Sequence, residues 1–175
     1  MIPLCDSFKG EKILLRKMKA SDAEIWATWF NDLEVLRYSR HRSLETNPEK
    51  QLNIMNDIHS NPSKVQFICE LNEKPVGVIS LIFYDSSESA EISIIIGEKN
   101  SWRRGIASDS IKAIISYCKK FHRVNKFFAG CDSRNIGSVK VFQKCGFKIK
   151  QIDRKTIKYP DEATLYDKTI MVFTS

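Results

Sequence analysis

The sequence predicts an α/β domain with a mostly antiparallel sheet, in the order β-α-α-βββ-α-β-α-ββ. Three observations carry this. Residues 65–71, 76–83 and 90–97 are short apolar runs separated by turn residues, which reads as three consecutive strands. From Gly105 onward, Ala107, Ile111, Ile114 and Cys118 recur on one helical face, the core side of a long helix. After it, a buried strand at 127–131, a short helix and strands at 147–152 and 165–173 complete the order.

The remaining elements follow in chain order. Residues 12–17 read as the first strand, with Leu14 and Leu15 directed to the core. Ser21-Asp22-Ala23-Glu24 has the form of a capping box, and the helix behind it carries Ile25, Trp26 and Trp29. Asn31-Asp32 breaks that helix, a short turn is expected at 34–37, and Tyr38-Ser39-Arg40-His41-Arg42 is polar and cationic. Thr46 is the expected cap of a second helix, with Pro48 near its start and Leu52, Met55 and Ile58 on its apolar face. Asn72-Glu73-Lys74-Pro75 is a hairpin turn, and 85–88 a second turn. No repeat, low-complexity tract or linker interrupts the chain, so residues 1–175 are expected to form a single domain.

Composition narrows the class. The chain has 175 residues, 42% hydrophobic and 28% charged, which suits a globular domain with a proper core. No apolar run is long enough to span a bilayer, and the first six residues lack the pattern of a signal peptide. The five cysteines (Cys5, Cys69, Cys118, Cys131, Cys145) are scattered, odd in number and without a CxxC pair. That argues against zinc and for a reducing cytoplasm. The three histidines show no ligand spacing with them, so no metal is expected. The net charge of +7 would attract anions, whereas no basic run with interleaved aromatics suggests nucleic-acid binding.

The chemistry concentrates in two segments. Ser101-Trp102-Arg103-Arg104-Gly105-Ile106-Ala107-Ser108 stands where the strand ending at 97 hands over to the long helix. A helix N-terminus offers free N–H groups and positive potential. Gly105 allows close backbone approach and two arginines add charge, so this turn suits a pyrophosphate. About 30 residues later, Asn135 can cap a helix of barely three turns that buries Val139 and Phe142 and stops at Gly146.

Together these segments resemble the GCN5-related N-acetyltransferase (GNAT) family, over residues 14–173. The resemblance rests on an R/Q-x-x-G-x-G/A turn, matched by Gly105 and Ala107, and on an N-x-x-S-x-x-x-[YF]-x-K-x-G-F helix, matched by Asn135, Ser138, Phe142, Lys144, Gly146 and Phe147. Trp102 fills the usual R/Q slot, as in the branch similar to ribosomal-protein alanine acetyltransferases. Phe142 stands where many members carry a tyrosine general acid.

The resemblance implies a central, mostly antiparallel mixed sheet flanked by helices, with acetyl-CoA as co-substrate. It implies acetyl-CoA contacts at Ile94, Ile95, Ile96, Trp102, Arg103, Arg104, Gly105, Ile106, Ala107, Ser108, Asn135, Ser138, Phe142 and Lys144. A backbone N–H near 94–96 would polarise the thioester carbonyl. Glu91, at the start of the strand feeding the turn, is the candidate general base. A carboxylate in water is a weak base for an ammonium, so burial or a relaying water is expected to help it. Tyr38, Tyr84, Tyr166 or water could protonate the departing thiolate, or it could leave unaided. An acyl-cysteine route through Cys131 or Cys145 is the weaker alternative to direct transfer.

The same resemblance places the acceptor against Trp29, Asn31, Tyr38, Arg40, His41 and Arg42. Cations there suit a nucleotide-linked amino sugar. A protein N-terminus and a small amine remain alternatives, as does a CoA-binding module without catalysis. The partners expected are acetyl-CoA and an amine, not a membrane or nucleic acid, with a monomer or homodimer.

Overall fold

The structure, a computed structural model, describes residues 6–84, 88–122 and 124–174. Cys5 and most of the turn expected at 85–88 lie outside them. The elements are β1 (Ser7–Lys9), β2 (Leu14–Lys17), α1 (Asp22–Phe30), α2 (Pro48–Ser60), β3 (Lys64–Leu71), β4 (Lys74–Phe83), β5 (Ser89–Ile96), α3 (Ile106–His122), β6 (Lys126–Asp132), α4 (Ile136–Lys144), β7 (Lys148–Lys158) and β8 (Leu165–Thr174). They form one mixed sheet in the order β1-β2-β3-β4-β5-β6-β8-β7. Among the described residues only the β5–β6 pairing is parallel.

Two layers of helices cover the sheet because its central strands are apolar on both faces. Ile111, Ile114 and Cys118 of α3 and Phe142 of α4 pack with Phe67, Ile79, Leu81, Ile92, Phe127 and Met171. On the opposite face Trp26 and Trp29 of α1 and Met55 of α2 close over Met18 and Ile68. Trp29 also explains Gly97. A Cβ there would lie 2.1 Å from the indole, so only glycine lets the chain leave β5 beneath the ring. At the β3–β4 turn, Asn72 (φ 50°) and Glu73 (φ 62°) are both left-handed, as a tight hairpin demands.

Several expectations need correction. β1 is an additional strand; its single apolar residue, Phe8, stacks on Tyr117 at 4.3 Å. Ile13 and Leu15 are buried while Leu14 is half-exposed, because alternation turns it away. Ser21 makes no cap: its backbone is already helical (φ −62°, ψ −17°). Instead Asp22 N–H bonds to Lys19 O at 2.9 Å, and Ala23 N–H to Ala20 O at 3.1 Å. For α2 the cap is Asn47, not Thr46. Asn47 precedes Pro48, which favours extended backbone, and its Oδ1 accepts the Lys50 N–H at 2.8 Å. Thr46 accepts from Gln51 Nε2 at 2.8 Å.

Candidate active site

The site begins with a fork in the sheet. β5 and β6 pair only at Ser89–Lys126, Ala90–Phe127 and Glu91–Phe128. Beyond Glu91 the strands part, although β5 stays paired to β4 as far as Ile96. The β5 edge from Ile92 to Ile96 therefore faces an opening with its backbone groups, while Ile94, Ile95 and Ile96 are half-buried. β6 runs down the other arm to Cys131 and Asp132.

The turn between β5 and α3 closes one end of the fork. Trp102 is 36% exposed and donates its indole N–H to Ile96 O at 2.7 Å, which fixes the turn to the strand end. Arg103 (φ 59°) and Gly105 (φ +82°) are left-handed. A Cβ on Gly105 would find only Lys12 Nζ and Ser108 Oγ, each at 3.9 Å, so the space over the turn is open. Lys12 Nζ also reaches Arg104 O at 3.5 Å. An open, glycine-bearing turn with Lys12, Arg103 and Arg104 beside a helix N-terminus fits a pyrophosphate. Ile106 is buried, so its side chain belongs to the core and only its backbone is left to face this space.

Asp109 holds this turn and was not singled out from the sequence. Its carboxylate accepts the N–H groups of Glu11, Lys12 and Ile13 at 2.9, 2.7 and 3.1 Å, fastening the β1–β2 turn to α3. Its one sequence signal is an acid in a first helical turn. On the second motif, Asn135 Oδ1 accepts the Ser138 N–H at 3.1 Å, and Ser138 is half-buried. Lys144 is exposed. Phe142 is 4% exposed and packs edge-on against Phe147 at 5.0 Å, so its ring belongs to the core.

Glu91 sits at the point of the fork, on the face opposite buried Ile92. Tyr84 donates to its Oε2 at 2.7 Å. Burial first, and the adjacent carboxylate second, push the Tyr84 phenol up to about 12. Both line a cleft of about 400 Å³ with Phe128, Gly130, Lys168 and Ile170. The four cysteines among the described residues are poor nucleophiles: burial pushes Cys69 and Cys118 up to about 12 and raises Cys131 and Cys145.

The residues expected at the acceptor are mostly engaged with the protein. Trp29 is 3% exposed against Gly97 and has little surface to offer a ligand. Asn31 is tied to Thr46 at both ends of its amide. Arg42 is paired to Asp161 at 2.8 Å and to Glu162, and lies over the Tyr159 ring at 4.1 Å. Its charge thus clasps the α1–α2 segment to the β7–β8 turn. Arg40 is exposed. His41 is exposed as a residue, yet its ring lies 5.8 Å from Phe30; local burial, then Arg40, lower its pKa. Tyr38 is half-buried with Arg134 at 5.7 Å. Arg134 in turn pairs with buried Asp132 at 2.8 Å and covers Tyr166 at 3.3 Å. This tyrosine–arginine cluster joins the ends of β6, β7 and β8, and no spacing in the sequence signals it.

The profile of the acetyltransferase (GNAT) domain matches residues 12–148. The chain is 23% identical over 143 residues to an uncharacterized N-acetyltransferase p20 from Bacillus licheniformis, covering 79% of this chain and 80% of that one. The fold superimposes on the microcin C7 self-immunity acetyltransferase MccE, solved with acetyl-CoA and AMP, at a TM-score of 0.84 and 18% identity, over 94% and 93% of the two chains. It also superimposes on RimL, a ribosomal L7/L12 α-N-protein acetyltransferase solved with coenzyme A, at 0.84 and 14%, over 99% and 97%. This chain belongs to the GNAT family and is an acetyl-CoA-dependent N-acetyltransferase. Among the described residues, no helix is long and apolar enough to cross a membrane, and no cluster of His, Cys, Asp or Glu is placed to hold a metal.

Proposed function

We propose direct transfer of the acetyl group to a primary amine, with the thioester in the β5–β6 fork and Glu91 as the base. Acetyl-CoA supplies an activated acetyl thioester. The turn at 103–108 would hold its pyrophosphate, with Asn135, Ser138 and Lys144 along the α4 side. Backbone N–H groups of 94–96 polarise the carbonyl; they are preorganised and do not titrate. Glu91 takes the ammonium proton, with Tyr84 fixing one carboxylate oxygen and leaving the other for the amine. The carrying observation is that the strands part at the Glu91–Phe128 pair, so base and fork meet at one point.

Phe142 has no proton to give, and Tyr166 is already bonded to Glu162. With a thiol pKa near 8.5, the thiolate leaves without a dedicated acid at neutral pH. The acceptor is a nucleotide-linked amino sugar, a protein N-terminus or a small amine. Arg42, already paired with two carboxylates, is a poor partner for the diphosphate of the first. A cytoplasmic, single-domain monomer or homodimer completes the proposal. Thiol release over an amine panel, in wild type and Glu91→Gln, is the test. Turnover in wild type and its collapse in the variant are expected; equal rates refute the role of Glu91.

A further inference from the structure

We propose that the acceptor amine carries an anionic group, a carboxylate or a phosphate, held by Lys168, Lys126 and Lys150 around the Glu91 cleft. This rests on reading that cleft as the acceptor end of the site. Lys168 lines the cleft directly. Its side chain crosses Gly130, where a Cβ would lie 2.4 Å from Lys168 Cε and 3.0 Å from Nζ. A bare glycine thus gives the lysine a track across β6. Phe128, on the cleft wall, has Lys126 Nζ 5.2 Å and Lys150 Nζ 5.9 Å from its ring centroid. One ammonium group thus lines the cleft that holds Glu91, and two more, from β6 and β7, stand beside its Phe128 wall.

The neighbouring arginines differ. Arg42 and Arg134 are neutralised by carboxylates, whereas Lys126, Lys150 and Lys168 form no ion pair among the described residues. Such a frame repels a polyamine. It fits a molecule whose amine meets Glu91 while its anion meets the lysines. Field focusing within a partly apolar cleft strengthens that preference.

The experiment compares matched amines: β-alanine with β-alaninamide, O-phosphoethanolamine with ethanolamine, and spermidine as the polycation. Thiol release gives kcat/KM. Titration of the CoA-bound enzyme, followed by the Ile170 methyl resonance, reports binding without turnover. The anionic member of a pair should be favoured by about tenfold or more, the size of a single charge-assisted contact. The pair that shows it assigns carboxylate or phosphate. Lys126→Gln, Lys150→Gln and Lys168→Gln together should erase the preference by raising KM for the anionic member alone. Each single variant should show part of the effect, so the test survives misfolding of the triple variant. Preference for the neutral member or spermidine, an unaltered preference in the variants, or no amine moving Ile170 overturns the proposal. Full turnover in Glu91→Gln removes the cleft assignment and this proposal with it. A slow Glu91→Gln beside lysine variants with unchanged preference defeats the anion reading alone.

Discussion

The Tyr84 hydroxyl, one residue past the end of β4, donates to Glu91 Oε2 of β5 at 2.7 Å, and both side chains line the candidate cleft. With its pKa pushed up to about 12, Tyr84 keeps its proton through any ordinary working pH and acts as a donor rather than an acid–base group. Tyr84→Phe removes a bond that orients the carboxylate. Turnover should fall by about three- to tenfold, as for one partly solvated hydrogen bond to a charge. The acetyl-CoA KM should not change. Glu91→Gln should lose about 10²–10⁴-fold, with the deficit shrinking as pH rises and more amine is already neutral. Unchanged turnover in Tyr84→Phe would mean that this bond does not position the base.

The left-handed backbone at Gly105 gives a direct test of the cofactor turn. Acetyl-CoA at about 100 times its dissociation constant should stabilise the protein by about 2.7 kcal/mol. For a chain of this size that is a rise of roughly 5–10 °C in Tm. Gly105→Glu puts a carboxylate where the phosphates would lie and strains a φ of +82°. The ligand-induced shift should vanish in that variant, measured by calorimetry against its own apo baseline. A full shift would place the pyrophosphate elsewhere.

The parts of this molecule that were legible in the sequence are those governed by local periodicity. The run 90–97, the face carrying Ile111, Ile114 and Cys118, and the Asn135 cap each follow from short-range pattern, and the structure has them within a residue or two. β1 escaped notice because three residues with one apolar side chain carry no period; Phe8 is held by Phe67 and Tyr117, far away in sequence. Ser21 and Thr46 misled for a related reason: capping preference is local, but the backbone angles that select the cap come from the preceding turn and from Pro48. The acceptor region was the least legible. Whether Arg42 is free or spent depends on Asp161 and Glu162, more than a hundred positions away, and no spacing rule reaches that far. Lys126, Lys150 and Lys168 were likewise invisible as a group until strand order brought β6, β7 and β8 together.

Arg16, Asp22 and Glu70 form a nearly buried ionic triad that supports the start of α1. Burial alone would raise the Asp22 pKa, but Arg16 and the Lys19 N–H outweigh it, and the net direction is down. A carboxylate with a lowered folded pKa contributes stability above its ordinary value, near 3.9, and loses it as pH falls through the folded value. Arg16→Met leaves Asp22 desolvated without its partner. The expected cost near neutral pH is about 3 kcal/mol, the lower end for a broken buried pair. Below about pH 4 the gap to wild type should narrow, because a protonated Asp22 no longer needs the arginine. Urea unfolding at pH 7 and pH 3.5 measures both; a gap that is constant with pH would assign the loss to packing of the arginine stem.

Arg42 separates two roles that one substitution cannot. As a clasp it joins the α1–α2 segment to the β7–β8 turn through Asp161 and Glu162, with Ser43 Oγ adding a bond to Asp161 at 2.8 Å. As an acceptor ligand it would need its guanidinium released from those carboxylates. Removing the arginine weakens the acceptor in either case. Removing the carboxylates does not: Asp161→Asn with Glu162→Gln frees Arg42, which should improve an anionic acceptor if the arginine binds it, and impair every acceptor if the clasp shapes the cleft. The near-complete pairing of Arg42, whose side chain is 11% exposed, favours the clasp. Both Arg42→Ala and the carboxylate double variant should therefore raise the acceptor KM by about five- to twentyfold, comparable to 1–2 kcal/mol of lost positioning, with the acetyl-CoA KM nearly constant. Added salt should weaken the clasp in the wild type in part, because the Asp161 side chain is 38% exposed. A double variant that binds an anionic acceptor more tightly than wild type would return Arg42 to the acceptor site.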